Sequence, residues 1–375
     1  MLKPIHRVSC SPALVACQRL MQRFALWLCT PGVRSIDVTH VNLRAHMPTP
    51  VEGDWLWALL ARSVHKQTSL DRAQAVAEFT HAEKQGLANW VQVVSTLAQH
   101  FGPQPPVALP LPPPNNWKRS DPSWASFKDL MLAFYEPGLQ DGLPYQDDGT
   151  PTTDSSSRVT YKRFVETFRM AHRLDPRPEA REICVLCGGE LRLPAVDHWV
   201  CKSKFPLLAV CADNLLPICG ECNEAPNKGQ KDVHADGSFV DWFHPYLRHA
   251  NGGIHLQYDT ARFEIRTSSH SSLDERRVEN LDGLLNLSQR WTREFKAEYI
   301  KKQREVEQRR ARGQVLDATS LRALLLDYSK GLSAQEPNFE VHRVVAYALL
   351  ESARTQAFLV VTPTTSPGSV GGATR

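Results

Sequence analysis

"LLPICGECNEAPNKG", residues 215–229, sets Cys219 and Cys222 two residues apart and places Asn223 directly after them. The upstream chain carries a matching pair in "CVLC", Cys184 and Cys187. Two such knuckles bring together four thiolates, the donor set of a tetrahedral structural zinc. The interval between the pairs is 31 residues, positions 188 to 218. A simple zinc ribbon has about 15–20 there, so something is inserted between the knuckles. Cys201 and Cys211 lie in that interval, but neither has a partner at knuckle spacing, and both stay outside the ligand set.

The insert, "GGELRLPAVDHWVCKSKFPLLAVCADNLLP", holds adjacent Asp197 and His198 after a short apolar run. Lys202 and Lys204 follow, and Asn214 stands just before the second apolar run. An isolated Asp-His dipeptide carries little information. Asp-His between two cysteine knuckles, with Asn214 before the second knuckle and Asn223 straight after it, is an ordered set that chance rarely assembles.

On these residues, positions 184 to 229 resemble the HNH endonuclease family, in its zinc-supported branch. The fold implied is a ββα-metal finger inserted in a mainly α chain, with helical regions on both sides. The resemblance implies that Cys184, Cys187, Cys219 and Cys222 hold structural zinc. It makes Asp197 a ligand of a catalytic divalent cation, Mg²⁺ or Mn²⁺, and His198 the general base. Asn214 becomes the brace of the loop and Asn223 the last metal ligand. "DHWVCKSKFP" and the later "WFHPY", residues 242–246, are also similar to one subgroup. Two departures stand out: Cys201 replaces a common proline, and "EAPN" sets Lys228 further from Asn223 than usual, leaving Asn227 as a competing ligand.

The chemistry agrees with the residue types. Phosphodiester hydrolysis needs an activated water and neutralised charge at phosphorus. Asp197 and Asn223 offer the hard oxygen donors that Mg²⁺ and Mn²⁺ take. A histidine near its ordinary pKa of about 6.5 can accept a proton at neutral pH. Lys202, Lys204 and Lys228 are expected on backbone phosphates, which position a nuclease without reading sequence. The expected function is therefore DNA cleavage, with RNA as the alternative substrate and restriction or phage defence as the role implied. The competing reading is a catalytically inactive, zinc-stabilised module that binds DNA or protein.

The rest of the 375 residues sets the frame. With 42% apolar and 22% charged residues the composition is that of a globular chain, and a net charge of +4 permits a polyanionic partner without requiring one. Nine cysteines, an odd number unevenly spaced, fit a reducing compartment, so a cytoplasmic location is expected. Gln18, Arg19, Gln22 and Arg23 interrupt any signal-like core near the start. No apolar run reaches the roughly 18 residues of a membrane span.

Leu14, Cys17, Met21, Phe24 and Leu28, then Leu87, Trp90, Val91, Val94 and Leu97, recur at helical spacing and give a helical domain over 1–101. Cys10, Cys17 and Cys29 read as small core fillers. This domain is a candidate dock for a partner protein that licenses cleavage. A proline-rich and polar linker with one short helix, at 124–136, covers 102–158, and the nuclease domain covers 159–250, opening on a helix at 161–174. Residues 251–355 give a β-hairpin, one long helix over 278–312 ending in a basic run, and two more helices. A disordered tail is expected over 356–375.

Overall fold

In the computed structural model about half of the chain is helical, and its sheets, among the described residues, are small two-stranded pairs. The structure describes Lys3, residues 5–64, 67–94, 97–101, 107–250 and 252–351, and Thr355. The expected tail at 356–375, and residues 102–106 of the linker, lie outside these. No helix among the described residues is long and apolar enough to cross a membrane.

The chain divides into two compact units, one of residues 1–255 with 268–287, the other of residues 256–267 with 288–375. In the first, α1 (Ser11–Leu28) opens with Pro12 in its first turn, where a missing N–H costs nothing. Its predicted stripe of Leu14, Cys17, Met21, Phe24 and Leu28 is wholly buried. Next come α2 (His40–His46) and α3 (Pro50–Leu60), with Thr39 and Thr49 accepting hydrogen bonds from the third-residue amides. A short hairpin of β1 (Ser63–Val64) and β2 (Gln67–Thr68) leads to α4 (Ser69–Ala77), whose Thr68 and Asp71 form a reciprocal capping box. α5 (His81–Val94) buries Leu87, Trp90, Val91 and Val94 as its spacing predicts. α6 (Pro122–Leu132), capped by Asp121, runs into a kinked turn over Phe134–Leu139, where Glu136 leaves helical backbone geometry. α7 (Tyr161–His172) begins on a Thr160 cap.

The sequence boundaries at 101 and 158 do not separate compact units. Arg7 makes a bidentate ion pair with Asp213, at 2.8 and 2.7 Å, and Gln18 Nε2 donates to the Leu207 carbonyl at 2.5 Å. The Leu109 amide donates to the Gly237 carbonyl at 2.9 Å. The helical region therefore grips the loop between the cysteine knuckles directly. Aromatic and proline patterning shows where a chain turns, and gives no sign of which distant loop it will hold.

Strands β3 (Ala195–His198) and β4 (Leu215–Ile218) pair antiparallel, with Asp197 opposite Leu216 and His198 opposite Leu215. The single turn α8 (Gly220–Asn223) follows. Farther on, β5 (Ile254–Asp259) and β6 (Glu264–Ser269) form the expected hairpin.

The expected single helix over 278–312 is two, α9 (Ser272–Leu285) and α10 (Leu287–Ala311). Asn286 between them adopts φ +51°, a left-handed conformation that asparagine tolerates better than most residues and that ends a helix. In the second unit Phe263 sits among Phe295 and Tyr299 at 5.0 and 4.8 Å between ring centres. The basic run of α10 is interleaved with carboxylates: Lys302 reaches Glu305 at 3.0 Å and Lys301 reaches Glu298 at 3.3 Å. Glu298 is buried and Lys302 is largely covered, over the Tyr328 ring, while Arg304, Glu307 and Arg309 face solvent. α11 (Ala318–Gly331) and α12 (Phe339–Leu350) complete the described helices.

Candidate metal centre and active site

The first knuckle closes when the Gly188 amide donates to the Cys184 carbonyl at 2.9 Å and the Cys184 amide to the Gly189 carbonyl at 2.8 Å. Gly188 takes φ +73°, which a residue with a Cβ adopts reluctantly. The second knuckle closes through the Cys222 and Asn223 amides, both donating to the Cys219 carbonyl, at 3.0 and 3.1 Å. All four cysteines are buried, and their sulfurs lie within 4.8 Å of one another. Cys184 and Cys222 are 4.0 Å apart, Cys187 and Cys219 3.8 Å. A tetrahedron with Zn–S bonds of about 2.3 Å has edges of about 3.8 Å, whereas a disulfide needs about 2.05 Å. The spacing is that of four separate thiols close enough to share one ion. Burial drives the Cys184 thiol pKa up, whereas the hydrogen bond with Cys184 draws that of Cys219 down. These residues could hold a structural metal such as zinc.

Cys201 and Cys211 lie apart from this cluster. Cys201 contacts Ser203 Oγ at 3.1 Å, and burial pushes the Cys211 thiol up to about 12.

His198 ends β3. Its Nε2 is 2.9 Å from the Ala209 carbonyl, which only accepts, so Nε2 carries the proton and Nδ1 keeps its lone pair. Nδ1 has no hydrogen bond among the described residues. Burial, reinforced by the charge of Lys202, lowers the His198 pKa to about 3 and keeps the ring neutral. The Tyr135 ring meets the imidazole edge-on at 4.6 Å between centres.

Asn214 is fully buried within the loop between the knuckles. Its Oδ1 accepts from the Val200 amide at 2.7 Å, and its Nδ2 donates to the Val200 and Leu208 carbonyls at 2.9 and 3.0 Å. Asn214→Ala should cost about 3 kcal/mol, because it strands buried backbone groups worth roughly 1–3 kcal/mol each. The measure is a lowered urea midpoint; an unchanged midpoint would show the loop to be held by Arg7 and Gln18 alone.

The lysines differ from expectation. Lys228 is fully buried and does not reach a surface where a phosphate backbone would meet it. Its Nζ bonds Asp197 Oδ1 at 3.0 Å and the His198 carbonyl at 2.8 Å, and lies 2.9 Å from Asp197 Oδ2. Lys202 and Lys204 are surface groups already paired, with Glu136 at 2.6 Å and with Asp232 at 2.8 Å.

Asn227 is buried and engaged: Nδ2 donates to the Glu221 carbonyl at 2.6 Å, and Oδ1 accepts from Asn286 Nδ2 at 2.8 Å. Asn223 is half-buried at the end of α8, and no hydrogen bond to its side chain occurs among the described residues.

Reasoning from the motif misses Tyr135 and Glu136, which cover His198 and Lys202 from positions 63 and 66 residues upstream. Lys202 also sits 3.9 Å over the Tyr135 ring. The signal in sequence is only an aromatic-acid pair after a helix. The "WFHPY" stretch is structural here: His244 Nδ1 accepts from the Tyr246 and Leu247 amides at 3.1 and 3.2 Å, and Tyr246 Oη donates to the Leu215 carbonyl of β4 at 2.9 Å.

No protein-family model, curated protein or solved structure matches this chain.

Proposed function

We propose that this chain is an endonuclease of the HNH type that hydrolyses DNA phosphodiester bonds with His198 as general base. The supporting observation is the His198 imidazole itself. It stands at the end of a strand braced by a four-cysteine cluster, with Nε2 tied to Ala209 and Nδ1 left as a base. Nδ1 takes a proton from water, the water oxygen attacks phosphorus, and the 3′-oxygen leaves and is protonated from solvent. The four cysteines hold zinc at a distance from this chemistry, and the ion gives a small sheet and one helical turn the folding energy they lack.

The oxygen donors assigned to Mg²⁺ or Mn²⁺ are of the right kind but do not form a ready site. Asp197 Oδ2 is buried without a hydrogen-bond partner, as a ligand oxygen would be, yet the Lys228 ammonium is 2.9 Å from it. A dication there would face a like charge at close range. This pairing favours the second reading, a catalytically silent zinc-stabilised binding module. Supercoiled plasmid and a structured RNA, each with Mg²⁺, Mn²⁺ or EDTA, separate the two. The nuclease nicks or linearises DNA in at least one condition; the binding module cuts nothing in any.

Lys202 supplies a phosphate contact once Glu136 releases it. The pair is partly exposed, so a phosphodiester oxygen competes with the carboxylate on nearly even terms. Glu136→Gln removes the competitor and should tighten DNA binding by about two- to fivefold, read by fluorescence anisotropy. Unchanged affinity would take Lys202 out of the interface.

A further inference from the structure

We infer that Lys228 is a built-in cation for Asp197 that a divalent ion must displace, the ammonium and the ion being alternative occupants of one carboxylate. The inference rests on the nuclease reading only for the arrival of such an ion at Asp197.

Lysine is almost never fully buried unless paired, and Lys228 has no exposed surface. Its ammonium lies within 3.0 Å of three oxygens: it donates to Asp197 Oδ1 and to the main-chain carbonyl of His198, and it stands at ion-pair distance from Asp197 Oδ2. One side chain thus fixes two successive residues at the end of β3. The segment carrying it is tied to the second knuckle, since the Lys228 amide donates to the Cys222 carbonyl at 3.2 Å. The four-cysteine cluster therefore sets where the ammonium stands.

Asp197 keeps one oxygen, Oδ2, that lies within ion-pair distance of Lys228 without hydrogen-bond geometry and has no other partner among the described residues. Without the ammonium, that carboxylate would be a buried, uncompensated anion, a condition met either by protonation or by binding a cation. A lysine stem has four rotatable carbons, so its head can withdraw while the backbone stays in place. Asn223, whose side chain has no hydrogen bond among the described residues, ends α8, which packs on β3.

The test is Mn²⁺ binding by electron paramagnetic resonance on the zinc-loaded full chain. Lys228→Met should bind Mn²⁺ at least tenfold more tightly than wild type, and the gain should vanish in Lys228→Met combined with Asp197→Asn. A folded Lys228→Met protein with equal or weaker Mn²⁺ affinity overturns the inference. Lys228→Gln, which keeps a donor to Asp197 without the charge, serves where the Met variant does not fold. The wild type gives a third reading through lysine acetylation followed by mass spectrometry. Lys228 should be unreactive alone and become reactive as Mg²⁺ is added; lack of reaction at every Mg²⁺ concentration overturns the inference. Cleavage is no part of these readouts. A chain that cuts no DNA but shows the exchange supports the inference while the nuclease reading fails. A chain that cuts, with unchanged Mn²⁺ affinity in Lys228→Met, overturns the inference alone.

Discussion

His198→Ala is expected to lower the rate of DNA cleavage by about 100- to 10,000-fold, the contribution of a positioned general base, while zinc content and DNA affinity stay at wild-type values. The substitution strands the buried Ala209 carbonyl and vacates volume against the Tyr135 ring, for a stability loss of roughly 2–4 kcal/mol, so it is the retained zinc content that separates a lost rate from a lost fold. The pH dependence follows from the same surroundings. With its pKa lowered to about 3 by burial, His198 in the free protein is neutral throughout the neutral range and gains a proton only as pH falls toward that value. The limb of kcat/KM assigned to it therefore lies well below the ordinary histidine value of about 6.5. A bound phosphodiester brings negative charge beside the ring and raises its pKa, so the limb of kcat should lie at higher pH than that of kcat/KM. Equal cleavage by wild type and His198→Ala would remove His198 from the chemistry.

The placement of His198 at the end of β3 was legible in the sequence, because knuckles, strand and Asp-His lie in one local string whose spacing limits where each can go. The gathering of the four cysteines was legible for the same reason. The covering of His198 was not. Tyr135 and Glu136 meet the site through tertiary packing, and nothing local in "AFYEPG" records the partner. Lys228 was misread for a related reason. A lysine after a knuckle looks like a surface phosphate contact, and only the fold shows that its head turns inward to a buried carboxylate. The break at Asn286 was hidden by leucines that keep helical spacing on both sides of it, although a left-handed asparagine needs no change in that pattern.

Loss of the zinc cluster should have the largest effect on stability. Each strand of the β3–β4 pair has four residues and α8 is a single turn, too little to persist unaided in water. Structural zinc in small fingers supplies an apparent 10–16 kcal/mol of binding energy, about that much of it available to folding. Cys219→Ser should therefore abolish stoichiometric zinc, measured by inductively coupled plasma mass spectrometry, and open residues 184–229 to limited proteolysis. The opening should be local. α1 and α5 bury their own apolar faces, and Arg7 and Gln18 hold the 207–213 segment from outside the knuckles. Cleavage sites should thus cluster at the two knuckles and spare residues 11–94. Cys211→Ser, by contrast, should keep full zinc, since its sulfur lies outside the cluster. If Cys219→Ser resists protease at the knuckles as wild type does, the sulfurs hold no ion that matters to the fold. In that case the position of Lys228, which hangs from Cys222, has to be explained by packing alone.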